Sequence, residues 1–499
     1  MSGQAKTGHR AFRRFHMKKW SEARCSVSQH GFLKWRGASA GRACIAKTFP
    51  ALLLLAFSPI AVDGARVHAE DAAQTAFPGA QGYGRHAAGG RNGAVVPVTN
   101  LDDAGPGSLR ACAEMRGPRT CIFRVSGVIR LKKSLVIGKG SGQVSILGQT
   151  APGGGVLLTI DERNDEKKHT PLVVKRADDV IIRHLRVRPR LPNTISNIDG
   201  VTVEDSKKVY IDHVSTSWST DENFNSHSNT SDLTVANSIF GEGLNKHSKC
   251  ALIGSDPRVP QNITFMRNAC ISNRDRNPDN NHYANSCVEI VNNLFFNALS
   301  EWGEIFSQYP GGTPIAFVGN YFKAGASTND LTYAMAWDQA ASVDKPHIYQ
   351  TGNVTWSPSN KSVVLLSPET EDVLVDKPPC ALAVSEVLTA EQAYEEIIRS
   401  AGAFPRDAVD QRLINEVGQM GAEGGGEMVK EPGPLPDIAS AEPYIDADGD
   451  GLADSVEPRF GANPAKSDAW EDSDENGWSN FDDFMQWLSE ERTAGRYPQ

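Results

Sequence analysis

The chain has 499 residues and a formal net charge of −9, which allows roughly two to four domains and gives only a mild acidic balance. It offers neither a basic surface of the kind nucleic acid selects nor an apolar run long enough to cross a bilayer. Nucleic-acid binding and residence in a membrane are therefore not expected of the mature protein.

The first fifty residues are basic (Arg13, Arg14, Lys18, Lys19, Arg36, Arg42) and lead into the apolar run ALLLLAFSPIAV at 51–62. With the small-residue site Val67-His68-Ala69, residues 1–69 read as a secretory signal peptide cut near Glu70, with Met17 as an alternative start. An extracellular location permits disulfides among Cys112, Cys121, Cys250, Cys270, Cys287 and Cys380. Cys112 and Cys121 flank a tight turn and form the expected bridge. For the others, connectivity is open and buried free thiols are the alternative.

Residues 77–160 alternate glycine with short apolar runs (VVPVT, CIFRVSGVIRL, VSIL, VLLTI), a pattern of strands and tight turns. One short helix is expected from Ser108, its N-cap, to Met115, closing one end of the array. From 180 onward a motif recurs: VIIRHLRV, VYIDHVST, LTVANSIF, TFMRNACI, VEIVNNLFF, IAFVGNYF. Aligned on the polar residue at each strand's corner, it gives His184, His213, Asn237, Asn268, Asn293, Asn320 and Asn353, at intervals of 24 to 33 residues. A repeat of that period, with short strands and almost no helix, predicts an all-β parallel β-helix over 70–375, in which the corner asparagines stack as an amide ladder. His213 belongs to that column and is assigned a structural role.

Composition changes after 375. Thr389 and Gln392 form a capping box ahead of one amphipathic helix, and Val409, Leu413, Ile414 and Val417 mark a second, so 376–419 is expected as a helical cap. Residues 420–443, rich in Gly, Pro and Glu, read as a flexible linker. Residues 444–492 hold two EF-hand patterns: Asp446, Asp448, Asp450, Gly451, Asp454 and Glu457, then Asp472, Asp474, Asn476, Gly477, Asn480 and Asp483. These loops are expected to bind Ca2+ and resemble dockerin or thrombospondin-type calcium repeats, which stabilise or attach. The segment is expected to tie an otherwise monomeric protein to a cell surface or complex.

Residues at equal offsets from stacked corners share a face, about 4.8 Å apart. Asp221 and Arg276 each lie eight residues past a corner, Asn225 and Lys249 each twelve, and Asp199 fifteen past His184. These offsets predict a charged groove holding carboxylates, an amide, a lysine and an arginine.

FPGAQGYG at 77, TNLDDAGPGSLR at 99, ILGQTAPGGG at 146, NIDG at 197, IDH at 211, HSKCALIG at 247 and RNP at 276 resemble the pectate lyase superfamily, polysaccharide lyase family 1, over about 77–360. The resemblance implies a right-handed parallel β-helix that binds calcium and cleaves the acidic polysaccharide polygalacturonate by β-elimination. It implies calcium ligation by Asp199 and Asp221, substrate binding by Lys249, and proton abstraction by Arg276. Asn197 and Asn225 stand where many members carry acidic ligands. The family's second arginine is replaced by Asn281, with Arg274 the candidate substitute for substrate binding. Two other classes remain open: a glycoside hydrolase using Asp199 and Asp221 as acid and base, and a non-catalytic carbohydrate-binding solenoid.

Overall fold

A computed structural model describes residues 74–161, 169–244, 247–300, 302–419 and 426–498. The expected signal peptide lies outside them, as do residues 420–425 of the expected linker. The stretch 209–225 makes one full turn of a solenoid: Lys207–Asp212 lies in sheet A, Ser215–Ser217 in sheet B, and a bend then leads to Glu222–His227 in sheet C. Among the described residues, repetition of that turn builds three parallel sheets of ten, nine and nine strands, each inner strand pairing with its counterparts one turn before and one turn after. The interior is a column of apolar side chains, among them Val209, Ile211, Phe224, Leu233, Phe240 and Phe265, all essentially inaccessible. This is the expected parallel β-helix, with the helix Leu109–Ala113 packed at its first turns and Ser108 accepting from the Ala111 N–H.

The corner column needs a correction. Asp212 pairs with Arg183 and Ala236, Ala236 with Met266, and Met266 with Val291. The residues that follow these therefore stack as His184, His213, Asn237, Arg267 and Asn292, all with left-handed backbone (φ 49–54), and Gly319 and Gly352 continue the column. The amide ladder lies one residue further on and begins at Ser238, not at a histidine. Ser238 N–H donates to Asn268 Oδ1 (3.0 Å), Asn268 N–H to Asn293 Oδ1 (2.9 Å), Asn293 N–H to Asn320 Oδ1 (2.9 Å), and Asn320 N–H to Asn353 Oδ1 (3.0 Å). The two columns are adjacent and both asparagine-rich, which is why sequence alignment slips between them at Asn237. His213 is nonetheless structural in its surroundings, stacked on His184 (4.7 Å between centroids) and 2.9 Å from the buried Asp212.

The central strands of sheets A and B are buried on both faces, whereas many strands of sheet C alternate buried and accessible residues. The helices Ala390–Ser400 and Ala408–Gln419 cover sheet B, setting Ile397, Leu413 and Val417 against Ile239, Leu294 and Phe296. The capping box of the first is formed as expected. The C-terminal helix Asn480–Thr493 covers part of sheet A, with Phe481, Phe484, Met485 and Leu488 clustered with Ile122, Leu147 and Ile181. Residues 426–443 carry no regular secondary structure, yet they are tied to the solenoid. Arg190 Nε donates to Gly433 O (2.9 Å), and Gly154 N–H to Ala439 O (2.7 Å). The acidic segment that follows is thus laid against the solenoid instead of hanging from a free tether.

Among the described residues three disulfides are formed: Cys112–Cys121 as expected, Cys250–Cys270 and Cys287–Cys380.

The ladder carries a stability prediction. Asn293→Ala strips partners from the Asn268 N–H and the Phe265 carbonyl inside the corner. Since an unsatisfied buried group costs about 1–3 kcal/mol, the expected loss is on the order of 3 kcal/mol. Denaturant unfolding should show a clear fall in midpoint for Asn293→Ala and a smaller one for Asn353→Ala at the part-buried end of the ladder.

Candidate active site

The bend from sheet B into sheet C gathers the charged side chains, because it is where buried strands give way to the accessible face. Asp199 precedes the strand Val201–Glu204, Asp221 and Glu222 open Glu222–His227, Lys249 opens Lys249–Ser255, and Arg276 precedes Asp279–Asn281. Glu222 pairs with Lys249, and Lys249 with Asp275, so these three form one column across the sheet. Asn225 pairs with Leu252, not with Lys249. The equal offset counted in sequence is therefore not an equal place in the fold, because the B-to-C bends differ in length. Beyond Lys249 the register changes: Leu252 pairs with Asp279, so the later strand carries one residue more over the same interval. Arg276 lies within that extra length with φ 53. A bulge of this kind re-aims side chains beside it.

Lys249 Nζ lies 3.1 Å from Asp221 Oδ1 and 3.4 Å from Glu222 Oε1. Arg276 is held from two sides, Nη1 at 2.5 Å from Glu222 Oε1 and Nε at 3.0 Å from Asp279 Oδ2. His247 Nδ1 comes within 3.4 Å of Asp221. Asp199 accepts from Thr202 Oγ1 (2.7 Å) and Asn225 Nδ2 (3.1 Å). Arg274 is exposed at the rim, and Asn197 is exposed in a left-handed turn ahead of Asp199. Asp199, Asp221, Lys249, Arg276 and Asn225 are thus brought together, while Arg274 and Asn197 stand outside the contacts.

Three participants are absent from the sequence-based set: Glu222, Asp275 and Asp279. Glu222 is the centre of the group, 3% exposed and in contact with both cations. The acidic pair Asp221-Glu222 at the start of a strand is the signal for it. Counting from one corner residue favours one member of the pair and hides the other.

Burial, then the Glu222 carboxylate, pushes Asp199 up to about 7. Burial also pushes Asp279 up to about 7 despite Arg276 beside it. For Arg276, burial works to lower the pKa, but Asp279 and Glu222 outweigh it and hold the guanidinium above its ordinary value.

The acids fit a hard cation. Asp199, Asp221 and Glu222 offer carboxylate oxygens within 4.8 Å of one another. Asn225 Oδ1 is buried without a hydrogen-bond partner. An all-oxygen donor set with an unpartnered amide oxygen suits calcium better than a transition metal.

No protein-family model matches the chain. It is 32% identical over 412 residues to "Probable pectate lyase C" of Aspergillus oryzae, covering 82% of this chain and 92% of that protein. The chain belongs to the pectate lyase family. "Probable pectate lyase C" of Emericella nidulans is 33% identical over 408 residues, covering 81% of this chain and 90% of the relative. The crystal structure of Jun a 1, the major allergen from cedar pollen, superposes with a TM-score of 0.50 and 19% identity, over 65% of this chain and 92% of that one, and shares the fold. As a family member the chain is a polysaccharide lyase.

Asp279 makes stability depend on pH. Its ordinary value is 3.8 and its folded value about 7. As pH rises between these, the unfolded carboxyl ionises while the folded one keeps its proton, so stability falls through that window and changes no further above it. Denaturant unfolding of cation-free protein across this range should show a flatter pH dependence in Asp279→Asn than in wild type.

Proposed function

We propose that the chain is a secreted, calcium-dependent pectate lyase that cleaves polygalacturonate by β-elimination in the groove on sheet C. The observation that carries this reading is the contact between an oxygen-rich acid cluster and two cations, Lys249 and Arg276, on the accessible face of a pectate lyase fold. Above about pH 7, where Asp199 and Asp279 ionise, the carboxylates of Asp199, Asp221, Glu222, Asp275 and Asp279 outnumber those cations, so the groove on its own then repels a polyuronate. Calcium held by Asp199, Asp221, Glu222 and Asn225 would supply the positive charge that ties down the substrate carboxylate and acidifies the adjacent C5 proton. A neutral sugar gains nothing from such a site.

Lys249 neutralises the uronate carboxylate and keeps it beside the acid cluster. Arg276 takes the C5 proton, the electron pair left behind forms the C4–C5 double bond, and the C4–O bond breaks with its electrons passing to the oxygen of the leaving sugar, which takes a proton from solvent water. Arg276 Nη2 makes no hydrogen bond among the described residues, and the side chain keeps 29% of its surface open. To accept a proton, Arg276 must first lose one, and its free pKa lies above about 12. Glu222 links this requirement to the acid cluster, because charge drawn from Glu222 there weakens its hold on Arg276. Activity accordingly favours alkaline pH. Arg274, at the rim, provides the second cationic contact to substrate in place of the missing arginine.

Secretion accords with three disulfides and with the absence, among the described residues, of any helix long and apolar enough to cross a membrane.

The test is turnover of polygalacturonate, with and without calcium, followed by the ultraviolet absorbance of the unsaturated product. Chain cleavage without that absorbance would indicate a hydrolase, and no cleavage at all would indicate a binding solenoid. Arg276→Lys keeps the charge but loses the planar fork, and turnover should drop by about 10²- to 10⁴-fold with little change in KM. Asp221→Ala should raise the calcium concentration needed for half-maximal rate. Near-wild-type turnover in Arg276→Lys beside a dead Arg274→Lys would transfer the base to Arg274.

A further inference from the structure

The C-terminal segment holds a second group of acids, on the sheet A side of the solenoid and apart from the groove. Asp446, Asp448 and Asp450 bring carboxylate oxygens within 4.8 Å of one another. The loop wraps around the first of them: Asp446 accepts the N–H groups of Gly449 (2.9 Å) and Gly451 (3.2 Å). That much describes many acidic turns. Glu457 sets this one apart. Its side chain is completely buried, and neither carboxylate oxygen has a hydrogen-bond partner. It interacts electrostatically with Asp450, Asp448, Asp454 and Asp468, all of its own sign. Asp448 Oδ2 is likewise buried without a partner.

An ionised carboxylate buried without a partner is costly, and like charges around it add to the cost. A cation bound among these groups removes both penalties at once. The donors are all oxygens, the set that a hard divalent ion takes.

We propose that Asp446, Asp448, Asp450 and Glu457 bind a calcium ion that fastens the C-terminal segment to the outer face of sheet A. Each neighbour of the site belongs to that docking surface. Asp446 lies 3.8 Å from Arg124 Nη1, and the Arg124 guanidinium sits 4.6 Å over the ring of the buried Tyr444. The Tyr444 hydroxyl donates to Gly451 O (2.8 Å). A Cβ on Gly451 would meet Val95, Phe481 and Ile122, so the loop is pressed directly on sheet A and the C-terminal helix. Glu457 opens the 3-10 turn Glu457–Phe460, whose Phe460 packs edge-on against Phe484. Asp454 is turned to brace the loop, accepting the Ala447 N–H (2.9 Å).

The second acidic loop differs. Asp472 accepts the N–H groups of Asn476 (3.0 Å) and Gly477 (2.9 Å), and Asp474 and Asn476 are exposed. Asp483 accepts from Asn476 Nδ2 (2.8 Å), and Asn480 is turned inward to Ser473 and Asp468. No unpartnered buried oxygen faces that loop among the described residues, and the proposal does not extend to it.

The test uses the full chain, stripped with EGTA and titrated with calcium, with Glu457→Gln and Asp448→Asn beside wild type. Glu457→Gln keeps the shape and removes the buried charge. In EGTA it should melt at a higher temperature than wild type, and in calcium at a lower one. It should also lose one bound calcium per chain, or bind it about tenfold more weakly. Turnover at saturating calcium should remain at the wild-type level, because Glu457 takes no part in the groove. Asp448→Asn, which retains the oxygen that accepts the Asp450 N–H (3.3 Å), should show the same crossing of melting temperatures. Equal lowering of the melting temperature with and without calcium, or unchanged calcium stoichiometry and affinity, would overturn the proposal. Failure of the lyase reading would instead appear as absent turnover in wild type and would leave the crossing intact.

Discussion

Register between successive turns is the constraint on which the rest of this structure depends. Strands in all three sheets pair only with their counterparts one turn away, and a slip of one residue exchanges the inward and outward sets along a whole strand. Two adjacent corner columns hold that register. One is left-handed in backbone and runs from His184 to Gly352, and the other is the hydrogen-bonded series from Ser238 to Asn353. The amide column also satisfies backbone groups that the interior would otherwise leave bare, since each Nδ2 reaches a main-chain carbonyl such as Val235 O, Phe265 O or Ile290 O.

Where the register loosens, chemistry gathers. Between Lys249–Asp275 and Leu252–Asp279 one strand gains a residue, and Arg276 occupies that slack. Glu222 then joins what the ladder would keep apart, belonging to the acid cluster and to the Arg276 ion pair together. A substitution at Glu222 acts on both, so its effect cannot be divided between the proposed metal site and the proposed base.

The solenoid, its capping helix, the amphipathic pair at 390–419 and the Cys112–Cys121 bridge are legible in the sequence, because each is written as a local pattern: a repeat, an N-cap, a helical stripe, a short loop between cysteines. The site is legible only as a neighbourhood. Asp199, Asp221, Lys249 and Arg276 do converge, but the pairings among them depend on bends of unequal length, which counting cannot resolve. That is why Asn225 and Lys249 share an offset without sharing a rung, and why Glu222 goes unnoticed. Two features do not register in composition at all. The stretch 426–443 is polar and rich in Gly and Pro, yet its carbonyls accept from the Arg190 side chain and the Gly154 N–H. The burial of Glu457 is equally silent, since the EF-hand spacing is the same whether its last acid faces water or the interior.

Sheet C keeps an accessible face along successive turns, and that has a consequence for the polymer binding proposed there. A linear polysaccharide lying along this flank meets protein groups at one fixed interval, about 4.8 Å, set by strand spacing. Unless the sugar repeat equals that interval, the two series behave like the scales of a vernier and drift out of phase within a few rungs. On the proposed reading, close matching is confined to the short span from Asp199 to Asp279, and the remaining strands would serve mainly as a rail that keeps the chain aligned.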